Sequence, residues 1–238
     1  KSAMTYPATI IGIAVIVIAV ILVFVIPQFQ SMFESFGQQL PLPTRIVIAL
    51  SGFIQSYIFV IIGGIFVTIK ILKFIYTKPK GQLFFDALFL KLPVMGPLVR
   101  KVAVAKFTRT LGTMISSGVP ILDGLDIVAK TAGNKIVENA IYKVAQSISE
   151  GKTIAEPLEQ SGVFPSMVCQ MIAVGEQSGS IDTMLNKVAD FYDDEVDDAV
   201  GNLTAMMEPL LMLFLGVTVG GLVVAMYLPI FSLAGAVG

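Results

Sequence analysis

The sequence predicts an all-α membrane protein: three transmembrane helices and one cytoplasmic antiparallel helical bundle. Three observations carry this. Hydrophobic residues make up 55% of the 238 residues and charged residues only 14%, where a soluble domain carries about 25% charged residues. Residues 2–33 and 209–238 hold no charge at all, and each run exceeds the ~20 residues that cross a bilayer as a helix. Between them apolar residues recur at helical spacing, and strand-like alternation is nowhere sustained. A wholly soluble protein and an intrinsically disordered one are excluded.

The first span is expected within residues 1–27. Pro7 is tolerated in a first helical turn, where its missing N–H is not needed, and Pro27 is expected to close the span. No basic leader or small-residue cleavage site marks a signal peptide. Residues 28–45 form a loop. The second span covers 46–72 and carries Ser51, Gln55, Ser56, Tyr57, Gly63 and Gly64. Small and hydroxyl residues suit close helix contact in a membrane; the polar ones also fall near the span's entry, where headgroups would solvate them. The third span opens at Glu208-Pro209 and takes in 208–238.

Charge sets the sidedness. The 28–45 loop holds only Glu34 and Arg45, whereas Lys70 to Arg109 holds nine bases against the single Asp86. Positive flanks stay cytoplasmic. Residues 73–207 are therefore expected inside, with the 28–45 loop and the C-terminus outside; Lys1 on the inner side agrees.

Within 73–207, Val104, Phe107, Leu111, Met114 and Ile115 share one helical face, as do Val137, Ile141, Val144 and Ile148. Ile181, Leu185, Val188, Tyr192, Val196 and Leu203 continue the pattern in a last helix. Nothing interrupts that helix before Pro209, so it is expected to run into span three with at most a kink, coupling the domain to the membrane. Ser117-Gly118-Val119-Pro120 reads as a stop and restart, with Gly118 at a left-handed C′ position and Pro120 opening the next helix. Gly133, Gly162 and Gly179 read as further stops. Six or seven short helices result.

The chemistry is sparse. There is no histidine, and Cys169 is the only cysteine, so a Ser-His-Asp triad, an intrachain disulfide and a thiolate zinc cluster are excluded. No cofactor, metal or nucleic-acid partner is expected. The net charge of −1 hides a dipolar domain: residues 110–208 hold fifteen acids and five lysines, six of those acids between Asp190 and Asp198. Two readings stand. The acids face solvent or pair with the domain's own basic end, or they dock a partner with a basic patch. Asp193, Asp194, Asp197 and Asp198 are the acidic docking candidates, and Arg100, Lys101, Lys106 and Arg109 the basic ones.

Four features resemble the inner-membrane platform proteins of type IV pilus assembly and type II secretion, the PilC/GspF family. They are Lys1-Ser2-Ala3-Met4-Thr5-Tyr6-Pro7 before a span ending at Pro27; Gly112-Thr113 followed by Ser117-Gly118-Val119-Pro120; Gly162 and Pro165 leading to Gly175-Glu176, Ser178 and Gly179; and Glu208-Pro209. The resemblance covers the whole chain and implies a non-enzymatic platform. It would contact a cytoplasmic hexameric ATPase, pilin or pseudopilin transmembrane helices and other inner-membrane assembly proteins, as a homo-oligomer. It also implies a preceding second copy of the cytoplasmic domain, so the chain reads as the C-terminal part of a longer protein. Pro7, Pro27, Glu208 and Pro209 become the candidate pilin contacts. Glu208 would meet a pilin's positive N-terminus, or it is an interfacial acid at a helix N-terminus. Glu176 is expected near the start of the next helix, where a carboxylate is favoured, and Thr113 to bond the preceding turn. An oligomeric transport component is the alternative, although Pro7–Ile26 and Ile46–Ile69 hold no charged residue to couple transport.

Overall fold

A computed structural model describes residues 5–35 and 40–236. Lys1 to Met4 of the signature segment and the middle of the 28–45 loop lie outside the described residues. The described chain is helical: α1 (Thr5–Val20), a π-helical turn (Ile21–Val25), α2 (Ile26–Ser35), α3 (Leu42–Tyr76), α4 (Pro79–Lys91), α5 (Met95–Ser116), α6 (Ile121–Thr131), α7 (Lys135–Ser149), α8 (Ala155–Gln160), α9 (Ser166–Ser178) and α10 (Ile181–Ala236). Three stretches, Thr5–Met32, Leu42–Tyr76 and Ile181–Phe231, are long and apolar enough to cross a membrane. The chain divides into two compact units, one of residues 1–70 with 201–238 and one of residues 71–200.

In the first unit, Leu22, Ile26 and Leu222 form a small core, with Ile18, Val47, Ile54 and Met226 packed on it. Most other large apolar side chains of α1 and α3, such as Ile16, Phe59 and Phe66, are exposed. That suits a lipid environment, where burial supplies little driving force between helices and polar contacts hold them together.

Pro27 does not close the first span. The helix passes through it to Ser35 by way of the π turn. The Ile26 N–H reaches back five residues to the Ile21 carbonyl. Pro27 has no N–H, so the Leu22 and Val23 carbonyls lose the donors that the next turn would supply. Two side chains one turn apart on α3 replace them: Ser51 Oγ donates to the Leu22 carbonyl and Gln55 Nε2 to the Val23 carbonyl at 3.0 Å. Pro229 repeats the pattern. It withdraws the donor that would serve the carbonyl four residues earlier, and Thr44 Oγ1 donates to that Ala225 carbonyl at 2.5 Å. Thus α3 repairs both proline interruptions with its own polar side chains. Ser51 is only 2% exposed, so it serves the neighbouring span rather than headgroups. Replacing Ser51 with alanine is expected to cost about 0.6–2 kcal/mol, read as a lower unfolding midpoint in mixed detergent–SDS titration.

The second unit holds α4 to α9 and the first part of α10. Its core joins Val104, Phe107 and Leu111 of α5 to Leu125 and Val128 of α6, and Val137, Ile141 and Val144 of α7. It continues through Leu158, Val168 and Ile172 to Leu185, Val188 and Tyr192 of α10. The faces read from spacing are the buried faces. Gly118, Gly133, Gly162 and Gly179 all have positive φ, between 64° and 79°, the left-handed region where a Cβ is penalised. Pro120 stands just outside α6, at its N-cap, and not at the first helical position. Helix α10 runs through Pro209 without ending. Glu208 therefore sits inside a helix, and the reading of it as a helix N-terminal acid is corrected.

Buried Asp86 is the polar anchor of this unit. It accepts from the Tyr76 hydroxyl at 2.9 Å and from the Lys135 N–H at 2.6 Å. Asn134 beside it caps α7, accepting from the Ile136 and Val137 N–H groups, and donates to the Asp86 carbonyl at 3.4 Å. The carboxylate thus stands at the positive end of α7.

Candidate functional site

The charged ridge of the second unit is built where α5 and α10 meet. Gly112 permits the approach: a Cβ there would lie 3.0 Å from Asn186 Oδ1 and 3.2 Å from Leu185 Cβ. The helices then bring bases and acids into register. Lys101 Nζ pairs with Glu195 at 2.5 Å. Arg109 Nη2 lies 2.6 Å from Asp190 and 2.6 Å from Asp193, and its Nε donates to the same Asp193 oxygen at 3.2 Å. These bonds, that to Asp193 foremost, raise the guanidinium pKa further. One arginine between two acids offsets the repulsion that neighbouring aspartates create along α10. Such exposed pairs are worth at most about 1 kcal/mol each, so they set charge pattern more than stability.

The pairing sorts the sequence candidates. Lys101, Arg109 and Asp193 are engaged within the domain, and Lys106 donates to the Thr131 carbonyl at 3.4 Å. Arg100, Asp194, Asp197 and Asp198 are exposed, with no ion pair among the described residues. Beside Arg100 lies an open cleft of about 430 Å³, whose lining includes Leu90, Pro93, Pro97, Pro165 and Phe191. Its lining combines apolar side chains with the charged Lys91, Arg100 and the Lys101–Glu195 pair. Among the described residues no three metal-ligating side chains converge.

The motif residues serve the framework around this ridge. Thr113 Oγ1 donates to the Arg109 carbonyl at 2.8 Å, and Ser117 Oγ to the Thr113 carbonyl at 2.8 Å. Gly175 lets α10 turn back on α9: a Cβ there would lie 2.9 Å from Ile181 Cα. Glu176 does not serve the following helix. Its two oxygens accept from the Ile154 N–H at 2.7 Å and the Ala155 N–H at 3.2 Å, capping α8 from across the bundle. Gly179 closes α9 at φ 68°. Of the candidate pilin contacts, Pro7 is buried in the first described turn of α1, while Glu208 and Pro209 are exposed on α10. Sequence reading missed Asp86 and Thr44. The signal for Asp86 was present, as the single acid among nine bases.

A family profile described as Type II secretion system (T2SS), protein F matches residues 107–229. That is slightly more than half of the chain. The chain belongs to this family. The Gly112 and Gly175 helix contacts, the Glu176 cap and the acidic stretch of α10 all fall inside the region matched to protein F, whereas Arg100, Lys101 and Lys106 precede it. Among curated relatives, the type IV pilus assembly protein PilC of Myxococcus xanthus is 59% identical over all of this chain and 57% of its own length. PilC of Pseudomonas aeruginosa is 48% identical over all of this chain and 64% of its own length. The type II secretion system protein F of Vibrio cholerae is 32% identical over 98% of this chain and 57% of its own length. The chain thus spans less than two thirds of the length of these relatives.

Proposed function

We propose that the chain belongs to an inner-membrane platform that couples a cytoplasmic assembly ATPase to insertion of pilin subunits into a growing fibre. The observation that carries this reading is the 59% identity to a type IV pilus assembly protein along the entire chain. Identity to type II secretion relatives is lower, 32% for two of them, which favours a pilus over a secretion pseudopilus. Residues 73–207 then face the cytoplasm, since the nine bases from Lys70 to Arg109 resist translocation. The ATPase docks on the free charges, Arg100 beside the cleft and Asp194, Asp197 and Asp198 on α10. Pilin helices meet the exposed apolar faces of the spans, near Glu208 and Pro209. The platform transmits movement and performs no chemistry of its own.

The test is charge reversal of the free residues only, Arg100→Glu with Asp194→Lys, Asp197→Lys and Asp198→Lys. None of them is ion-paired among the described residues, so the fold is expected to persist by circular dichroism. ATPase capture by the purified protein is expected to weaken about tenfold or more, the equivalent of ~1.4 kcal/mol, and piliation to fail. Unchanged capture and normal piliation would refute this docking surface.

A further inference from the structure

Helix α4 has two faces of opposite character. Asp86 is tied beneath it to Tyr76 and to the start of α7, and α4 packs on α5 and α7. Phe84 and Leu88, one turn apart and each two residues from Asp86, point the other way. They are 65% and 44% exposed. Lys80 and Lys91 lie on the same outward side, at either end of this apolar pair, and both are exposed. An open groove of about 460 Å³ runs alongside, lined by Leu72, Lys73, Tyr76, Thr77, Phe85 and Phe89. Its exposed wall is apolar, with Lys73 at its margin.

A soluble partner and a membrane both cover apolar surface; three observations select the membrane. Only Thr77 and Lys78 separate α4 from α3, so α4 follows directly on a helix of membrane length. The basic side chains are Lys73, Lys78, Lys80 and Lys91, and none is ion-paired among the described residues. The segment's one acid, Asp86, is buried on the opposite side, so the outward face carries positive charge alone. Lysines flanking an apolar stripe are the pattern of a helix lying in a bilayer interface, stems in the acyl boundary and ammonium groups on phosphates.

We propose that α4 lies in the plane of the leaflet reached by the Lys73 end of α3. The Phe84–Leu88 face and the neighbouring groove are in contact with acyl chains, and Lys80 and Lys91 rest on anionic phospholipid phosphates. The inference depends on α3 being a span, but not on any ATPase or pilin contact. Its consequence is that the bundle is anchored to lipid at α4 as well as through its membrane-length helices.

Single cysteines at positions 59, 84, 88 and 146, each carrying an environment-sensitive fluorophore, test this in the full chain reconstituted into phosphatidylglycerol–phosphatidylcholine vesicles. Cys169 is buried and burial raises its thiol pKa, so the unsubstituted chain supplies the labelling background. Emission at 84 and 88 is expected to shift to the blue and to be quenched by nitroxide lipids, as at position 59 within α3, while position 146 on α7 stays water-like. Reversing Lys80→Glu and Lys91→Glu together is expected to abolish quenching at 84 and 88 and spare 59. Quenching at 59 with none at 84 and 88 would overturn the proposal, as would quenching that survives the double reversal. Absence of quenching at 59 would overturn the membrane reading of α3, and this proposal with it.

Discussion

Replacing Phe107 with alanine is expected to destabilise the helical bundle by about 3–5 kcal/mol. Phe107 is 1% exposed, and its ring centroid lies 4.9 Å from that of Phe164. It sits where α5 meets the core formed with α6, α7 and the segment before α9. Truncation removes the transfer free energy of a benzyl group and leaves a cavity that close-packed neighbours fill only in part. The measurement is denaturant unfolding in detergent micelles, followed by circular dichroism. Phe84→Ala provides the contrast: its side chain faces outward, and micelles solvate either residue, so its effect is expected to stay near zero. Equal losses for the two variants would contradict the assigned core.

The second large effect is expected at Asp86. Removing the carboxylate in Asp86→Ala deprives the Tyr76 hydroxyl and the Lys135 N–H of their acceptor. Hydrogen bonds to a charged group are worth about 1.5–3 kcal/mol each, and the negative charge at the α7 N-terminus adds a smaller favourable contribution. A loss of about 2–4 kcal/mol is expected on that basis. Asp86→Asn keeps the shape and an acceptor but not the charge, so it is expected to cost about half as much. Hydrogen exchange locates the effect: amides in the first turn of α7 and at the start of α4 are expected to lose protection in Asp86→Ala. Full protection there would show that the carboxylate does not join these elements.

Much of the architecture was legible because it depends on local pattern. Charge-free runs marked α1 and the end of α10, helical spacing marked the buried faces of α5, α7 and α10, and the glycines at 118, 133, 162 and 179 marked the turns. The misreadings arose where the deciding partner is distant in sequence. Pro27 looked like a terminator because a proline breaks a helix unless something satisfies the freed carbonyls, and the groups that do so, Ser51 and Gln55, come from another span. Glu176 looked local, yet its partners lie 22 and 21 residues earlier. The charged ridge was only half legible. Composition revealed separate basic and acidic clusters, but which charges neutralise each other is set by the register of α5 on α10. That register draws Arg109 and Lys101 into pairs 81 to 94 residues apart and leaves Arg100 without an ion pair among the described residues.

The proposed role requires one chain to touch both a cytoplasmic motor and the subunits being assembled. Photo-crosslinking in cells that are building fibres tests it most directly, with the reactive residue placed singly at position 100 beside the cleft, at 197 on α10, and at 16 and 212 on the exposed faces of the spans. Adducts with the assembly ATPase are expected from 100 and 197, and adducts with the pilin from 16 or 212. Piliated cells that yield no ATPase adduct from either bundle position and no pilin adduct from either span position would contradict it.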